Sequence, residues 1–277
     1  MTLLPASGRR DAVFGALGRA LSRWAVGPAA QPWPLWERHD PAGGGTIDHG
    51  AWGAFLRAYL RPGADGVNRV AYGAVTPRDR EALETGLHRQ AALPIGAYTR
   101  PEQRAYWINL YNALTVLTVL RYYPIGSITD IKPGGRFSFG PWDAKLVRVE
   151  GTPLGLNDIE HRILRPIWRD PRLHYAVNCA SLGCPNLAAE PYTAADTEAL
   201  LDQGARTYVS HPRGARVRAG RLTASRIYAW YRTDFGGEAG VVEHLRHHAG
   251  PELARALSGV ASVSRHKYDW GLNDAPR

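Results

Sequence analysis

Residues 100–124, RPEQRAYWINLYNALTVLTVLRYYP, decide the fold. Pro101 suits the first turn of a helix, and Pro124 cannot continue one, so the two prolines bracket a long helical segment. Between them Tyr106, Trp107, Leu110, Leu114, Leu117, Val119 and Leu120 place apolar side chains nearly all round the axis. A helix that is apolar on every side must be buried on every side, so the stretch predicts a central helix on which the rest of the chain packs. Asn109 and Asn112 break the apolar surface three residues apart, on one face. Buried amides need hydrogen-bond partners. The pair is expected to brace a loop backbone, to orient a histidine, or to supply an oxyanion donor.

Working outward, a helix is expected from about His49 to Tyr59, followed by a short strand in NRVAYGAV, residues 68–75. Thr76 caps a helix in 76–93, with Pro77 in its first turn. Residues 137–154 read as a strand pair, and 155–168 as a helix capped by Asn157 or Asp158. Leu173–Val177 reads as strand-like, turning at Asn178. Thr193 caps a helix in 193–212. Residues 215–237 give a hairpin turning at Ala219–Gly220, then a helix capped near Thr223 or Ser225. A last helix falls in 240–257. Helices outnumber strands and do not alternate with them regularly. The expected class is α+β, predominantly helical, with a small antiparallel sheet packed on a central buried helix. Residues 1–34, ending in the Pro-rich VGPAAQPWP, form an N-terminal extension and linker, and 35–277 a single globular domain.

Hydrophobic content of 44% and charged content of 21% exclude wholesale disorder. The net charge is +9, and all but three of the 34 basic residues are Arg. These arginines are scattered along the chain without a dense tract. With no zinc-finger spacing, RNP-type run or basic region leading into heptads, no nucleic-acid partner is expected, and the partner is left unassigned. No apolar run is long enough for a transmembrane segment. Residues 7–30 open with an Arg pair that faintly resembles a twin-Arg export signal, but Arg19 and Arg23 interrupt the apolar run. Val13, Phe14, Leu17, Leu21 and Trp24 recur at helical spacing, so a basic amphipathic helix is the simpler reading. A cytoplasmic location is favoured over export.

Six motifs in fixed order carry a family resemblance: YWINLYNALTVLTVL (106–120), LNDIEHRILRP (156–166), HYAVNCASLGCPNL (174–187), HPRGARV (211–217), IYAWYRTDFGG (227–237) and YDWGLND (268–274). Together they resemble the domain-of-unknown-function family 547, which occurs in bacteria and plants. The resemblance runs from about residue 90 to 274, more weakly from Leu35. It implies no activity. It favours Cys179 over Cys184 as the cysteine with a role, and it raises the weight of export.

The candidate chemistry centres on Cys179. A strand-like run precedes it and small residues follow, so it is placed to sit at a helix N-terminus, where unpaired N–H groups favour thiolate. The local order also resembles the nucleophile turn of papain-like and permuted papain-like enzymes. His161, early in a helix, is the expected base, with its neutral form favoured there. Glu160 is accounted for by a capping box with Asn157. His174 is the competing histidine, and Asp269 is a possible third member that would fix the base's tautomer. The expected catalytic set is therefore Cys179, His161, Asn109, Asn112 and Asp269. The function reads as a thiol-dependent hydrolase or acyltransferase, or alternatively a non-catalytic binding or scaffold domain. A zinc site built from Cys179, Cys184 and a histidine is the weaker reading, because C-x4-C is looser than a thiolate knuckle and has no second pair. No phosphate loop, G-x-S-x-G or HExxH motif occurs, and no cofactor is expected.

Overall fold

The computed structural model describes residues 27–133, 135 and 139–276. The amphipathic and export-signal readings of the N-terminus lie outside the described residues. The central helix, α3, runs Arg100–Tyr122, and its side chains are buried from Glu102 through Val119. Thr99 caps it by accepting from the Glu102 N–H. Before it come α1 (Gly50–Tyr59), the antiparallel pair β1 (Leu60–Pro62) and β2 (Asn68–Val70), and α2 (Pro77–Ala91), capped by Thr76 with Pro77 in its first turn. β3 (Val147–Val149) and β4 (Thr152–Leu154) form a second antiparallel pair, whose turn is made by Glu150 and Gly151 at positive φ.

A continuous helix over 156–168, α4, follows. It is α-helical at Leu156–Asp158, π-helical at Ile159–Leu164 and α-helical again at Arg165–Trp168. Then come α5 (Leu173–Ala176), α6 (Thr197–Ser210), β5 (Ala215–Arg218) and β6 (Arg221–Ser225). The chain finishes with α7 (Ile227–Trp230), α8 (Gly237–His248), α9 (Pro251–Leu257) and β7 (Val263–Lys267). The protein is thus predominantly helical α+β. β5 and β6 turn at Ala219 and Gly220, both at positive φ, as a two-residue hairpin requires. β7 joins β6 in parallel, an addition to the antiparallel pairs that the sequence did not announce. Burial falls into two clusters. One surrounds α3 and takes in α1, α2, the first two hairpins and α4. The other lies between α6, α8, α9 and the β5–β6–β7 sheet.

Two local readings are corrected. Leu173–Val177 is not a strand: Leu173–Ala176 is a helical turn, and only Val177 and Asn178 are extended. Asp170 starts that turn, accepting the Arg172 N–H on Oδ1 at 2.8 Å and the Leu173 N–H on its carbonyl at 3.1 Å. All four residues of the turn are buried, so no alternation was there to read. The second correction concerns the cap of α4. Asp158, not Glu160, closes it, with Oδ2 accepting the Gly155 N–H at 2.8 Å. Glu160 is thereby released for the site.

Candidate functional site

Cys179 follows the extended Val177–Asn178 step and is not at a helix N-terminus. The next residue, Ala180, has φ of +60°, and 181–184 forms a turn closed by Cys184 N–H donating to the Ser181 carbonyl. The turn folds the chain back so that the two cysteine sulfurs meet at 2.8 Å, with both thiols free. Donors converge on Cys184 Sγ: the Cys179 backbone N–H at 3.1 Å, the Ser181 hydroxyl at 3.4 Å and the Tyr268 hydroxyl at 3.1 Å. Burial and the thiol pair push the Tyr268 phenol well up, which keeps it a donor. Burial acts upward on Cys184 as well, but the donors outweigh it and hold this thiol at about 6. The hydrogen bond to Cys184, helped by burial, pushes Cys179 well above its ordinary value. The two sulfurs are therefore coupled and titrate as a pair, with Cys184 held down and Cys179 pushed up. Cys184 is 4% exposed, whereas Cys179 is partly open.

Both sulfurs line a cavity of about 120 Å³. Its walls are aromatic, with Phe139, Trp142, Trp230, Tyr231 and Trp270, and its polar floor is Glu160, His161 and His174. The π-helical turn explains the floor. Widening the helix there keeps Ile159, Glu160 and His161 all buried in succession, and π segments recur at functional sites. Tyr111, from α3, donates to Glu160 Oε2 at 2.9 Å. Burial alone would raise the Glu160 carboxyl, but the surrounding His161, His174, Arg165 and the Tyr111 hydroxyl hold it below its ordinary value.

Arg165 organises the histidines. Its guanidinium forms a two-pronged pair with Asp234 at 2.6 and 2.9 Å, donates to the Pro28 carbonyl at 2.6 Å, and approaches His161 Nδ1 at 3.0 Å. A guanidinium can only donate, so His161 Nδ1 accepts and the single proton of the neutral ring sits on Nε2. Burial, with Arg165 beside it, lowers His161 to about 4, so the ring is neutral at pH 7. His161 thus presents an N–H to the cavity, not the lone pair a general base needs. His174 is held by Asp234, Nε2 to Oδ2 at 2.8 Å, and stacks on Tyr231 with centroids 4.1 Å apart.

The other expected site residues lie elsewhere. Asn109 bridges the backbone of Tyr192, donating to its carbonyl at 2.7 Å and accepting its N–H at 3.0 Å. Asn112 does the same one turn on, donating to the Ala176 carbonyl and accepting the Asn178 N–H, each at 2.8 Å. Both amides are spent on backbone, and Asn112 braces the step that delivers Cys179. Asp269 is exposed and accepts the Gly271 N–H in a local turn at 2.9 Å, outside the cavity lining. Glu160, Arg165, Asp234 and Tyr268 belong to the site but escape the sequence reading. The extension reaches it too: Gly27 and Pro28 line the cavity, and Gly27 N–H donates to the Trp230 carbonyl at 3.0 Å. Among the described residues no group of three or more His, Cys, Asp or Glu is arranged to hold a metal ion, and no helix is long and apolar enough to cross a membrane.

Part of the chain that builds this site matches a known family. Residues 95–209, from the start of α3 through α4 and the cysteine turn to the end of α6, match the family model described as protein of unknown function, DUF547. That segment, under half of the chain, is similar to the DUF547 family. Comparison with curated proteins and with solved structures gives no match.

Proposed function

We propose that the cavity is the active site of a thiol-dependent hydrolase or acyltransferase acting on a small carbonyl substrate with an apolar or aromatic group. The observation that supports this reading is the 2.8 Å contact of the two thiols in the lining of an aromatic cavity that His161 also lines. Cys179, the partly open sulfur, attacks the carbonyl carbon. Its proton passes to Cys184 Sγ, so no histidine base is required. His161 Nε2–H donates to the oxygen on which negative charge develops, the role of a preorganised oxyanion donor. The Cys184 thiol then protonates the departing group as the carbon–leaving-group bond breaks, leaving an acyl-Cys179 thioester. Water or an acceptor nucleophile discharges it, giving up its proton to Cys184 Sγ. Arg165 and Asp234 act by positioning.

The test is hydrolysis of 4-nitrophenyl esters of short aliphatic and arylacetic acids. The reading expects a stoichiometric burst of nitrophenolate that disappears in Cys179→Ser. A chain that shows no burst and no turnover, yet binds the same acids in the cavity, would establish the alternative, a binding domain. The use of both Asn109 and Asn112 as braces is the observation favouring that second reading.

A further inference from the structure

Four of the arginines are gathered by the fold onto one small sheet. β5, β6 and β7 read ARVR, RLTAS and VSRHK, without a single Asp, Glu, Phe, Tyr or Trp. Ala215, Leu222 and Ala224 face the second core, with Val217 and Val263 against it. Alternation sends Arg216, Arg218, Arg221 and Thr223 outward, and the bulge that sets Arg265 rather than Ser264 beside Thr223 turns Arg265 and Lys267 to that face as well. The register then sets Arg216 beside Thr223 and Thr223 beside Arg265, with Arg218 directly opposite Arg221. Lys267 follows two residues after Arg265 on the same face. Arg218, Arg221, Arg265 and Lys267 are exposed and Arg216 is half-buried.

None of these five cations is paired with an acid among the described residues, whereas Arg104, Arg165 and Arg172 all are. Glu238, at the β7 edge, is engaged by the Val263 N–H at 3.1 Å and by Arg232 at 3.8 Å. Like charges placed opposite each other across a hairpin repel, so the Arg218–Arg221 pair costs the isolated fold stability that an anionic partner would restore.

We propose that the outer face of the β5–β6–β7 sheet docks on an anionic phospholipid surface. Guanidinium groups match phosphate oxygens in two-pronged geometry. The strands carry no Phe, Tyr or Trp ring on which unpaired bases could stack, and among the described residues this face is made of strands, with no helix of its own to enter a DNA groove. An acidic protein partner would need apolar anchors, and the positions between the cations are Thr223 and Ser264. A flat cationic face suits a flat anionic surface. The sequence before Gly27, with Arg9, Arg10, Arg19 and Arg23 among Val13, Phe14, Leu17 and Leu21, has the pattern of an interfacial helix. It joins the body beside this sheet: Gly27 is bonded to Trp230 in α7, which follows β6, and Arg226 N–H donates to the Lys267 carbonyl at 2.9 Å.

The test is co-sedimentation of the full chain with vesicles of phosphatidylcholine alone and of phosphatidylcholine mixed with phosphatidylglycerol, at low and high salt. Binding is expected on the anionic vesicles only, and it should weaken as salt rises. The variant R216Q/R218Q/R221Q/R265Q should lose roughly a hundredfold or more in partitioning. A control of equal charge loss elsewhere, R57Q/R78Q/R89Q/R206Q, should lose far less. The single reversal R218E, which turns the repulsion within the hairpin into an attraction, should fold normally and still bind more weakly. Equal loss in the control, no anionic-vesicle binding by the wild type, or tighter binding to duplex DNA or a polyglutamate peptide than to the vesicles would overturn the proposal.

Discussion

The Sγ atoms of Cys179 and Cys184 stand 2.8 Å apart; the Cys179 N–H points at Cys184 Sγ, and the Ser181 and Tyr268 hydroxyls lie nearer to Cys184 Sγ, at 3.4 and 3.1 Å, than to Cys179 Sγ, at 3.5 and 3.3 Å. That asymmetry holds Cys184 down and pushes Cys179 up. The expectation that Cys184 is a bystander does not survive it.

The pair should titrate as a unit. Alkylation of the wild type by iodoacetamide is expected to rise with a first midpoint near 6, the value at which Cys184 is held, and again well above the ordinary thiol range. Cys184→Ser should replace these two steps by one lying between them, because Cys179 loses the neighbouring thiolate that raises it. Peptide mapping of the alkylated residue at each pH provides the check. A single step in the wild type, unmoved in Cys184→Ser, would mean that the sulfurs do not share a proton.

His161→Ala separates an oxyanion donor from a base. Removing one such donor lowers kcat by about 10²–10³-fold. The thiol alkylation profile should not move, since a ring held neutral down to about 4 contributes no charge to the pair. If the first alkylation midpoint climbs in His161→Ala, the imidazole is charged and the tautomer assigned through Arg165 is wrong.

The two amides should differ in consequence although they resemble each other in sequence. Asn109→Leu and Asn112→Leu each strand a buried backbone N–H and carbonyl, at about 1–3 kcal/mol per stranded group. Both should lower the denaturant midpoint. Only Asn112→Leu should also disturb thiol reactivity, because its partners Ala176 and Asn178 carry the chain into Cys179. Equal effects on Cys179 alkylation would place the Asn109–Tyr192 brace closer to the site than its contacts indicate.

Much of the fold was legible because its signals are local. Pro101 and Pro124 bracketed α3, Thr76 and Pro77 marked α2, and Ala219–Gly220 marked the β5–β6 turn. The surroundings of the candidate residues were not legible. Cys179 and His161 both line the cavity, yet their surroundings are set by Arg165, Asp234 and Tyr268, each distant in sequence from the cysteines. Glu160 was hidden because a capping box explained it, and only the π-helical widening shows that it turns inward. The β5–β6–β7 cation cluster was invisible for a similar reason. Arg216, Arg221 and Arg265 become neighbours through strand register, and β7 pairs in parallel from some forty residues away.

Acid should loosen the protein before its carboxylates titrate. His161 falls from an ordinary 6.5 to about 4 on burial, as does His49, and His244 to about 3. Each folded-state value is depressed, so these groups cost nothing above 6.5. As pH falls from 6.5 toward 4 the unfolded chain takes up protons that the folded one refuses, and stability declines. The fully buried His161 alone accounts for about 3 kcal/mol over that window. Urea unfolding at a series of pH values should show the decline, and His161→Gln should flatten part of it. A profile that is flat between 6.5 and 4 would show that these histidines are not held neutral.

The most direct measurement is the identity of the residue that carries the acyl group. Wild-type protein, mixed with a 4-nitrophenyl arylacetate and acid-quenched within the burst, should gain one acyl group, and peptide mapping should place it on Cys179. Cys179→Ser should gain none, and His161→Ala should gain it more slowly at the same sulfur. Acyl on Cys184 that persists in Cys179→Ser would reverse the assignment of the two thiols. No acyl group on either sulfur would contradict thiol catalysis in this cavity.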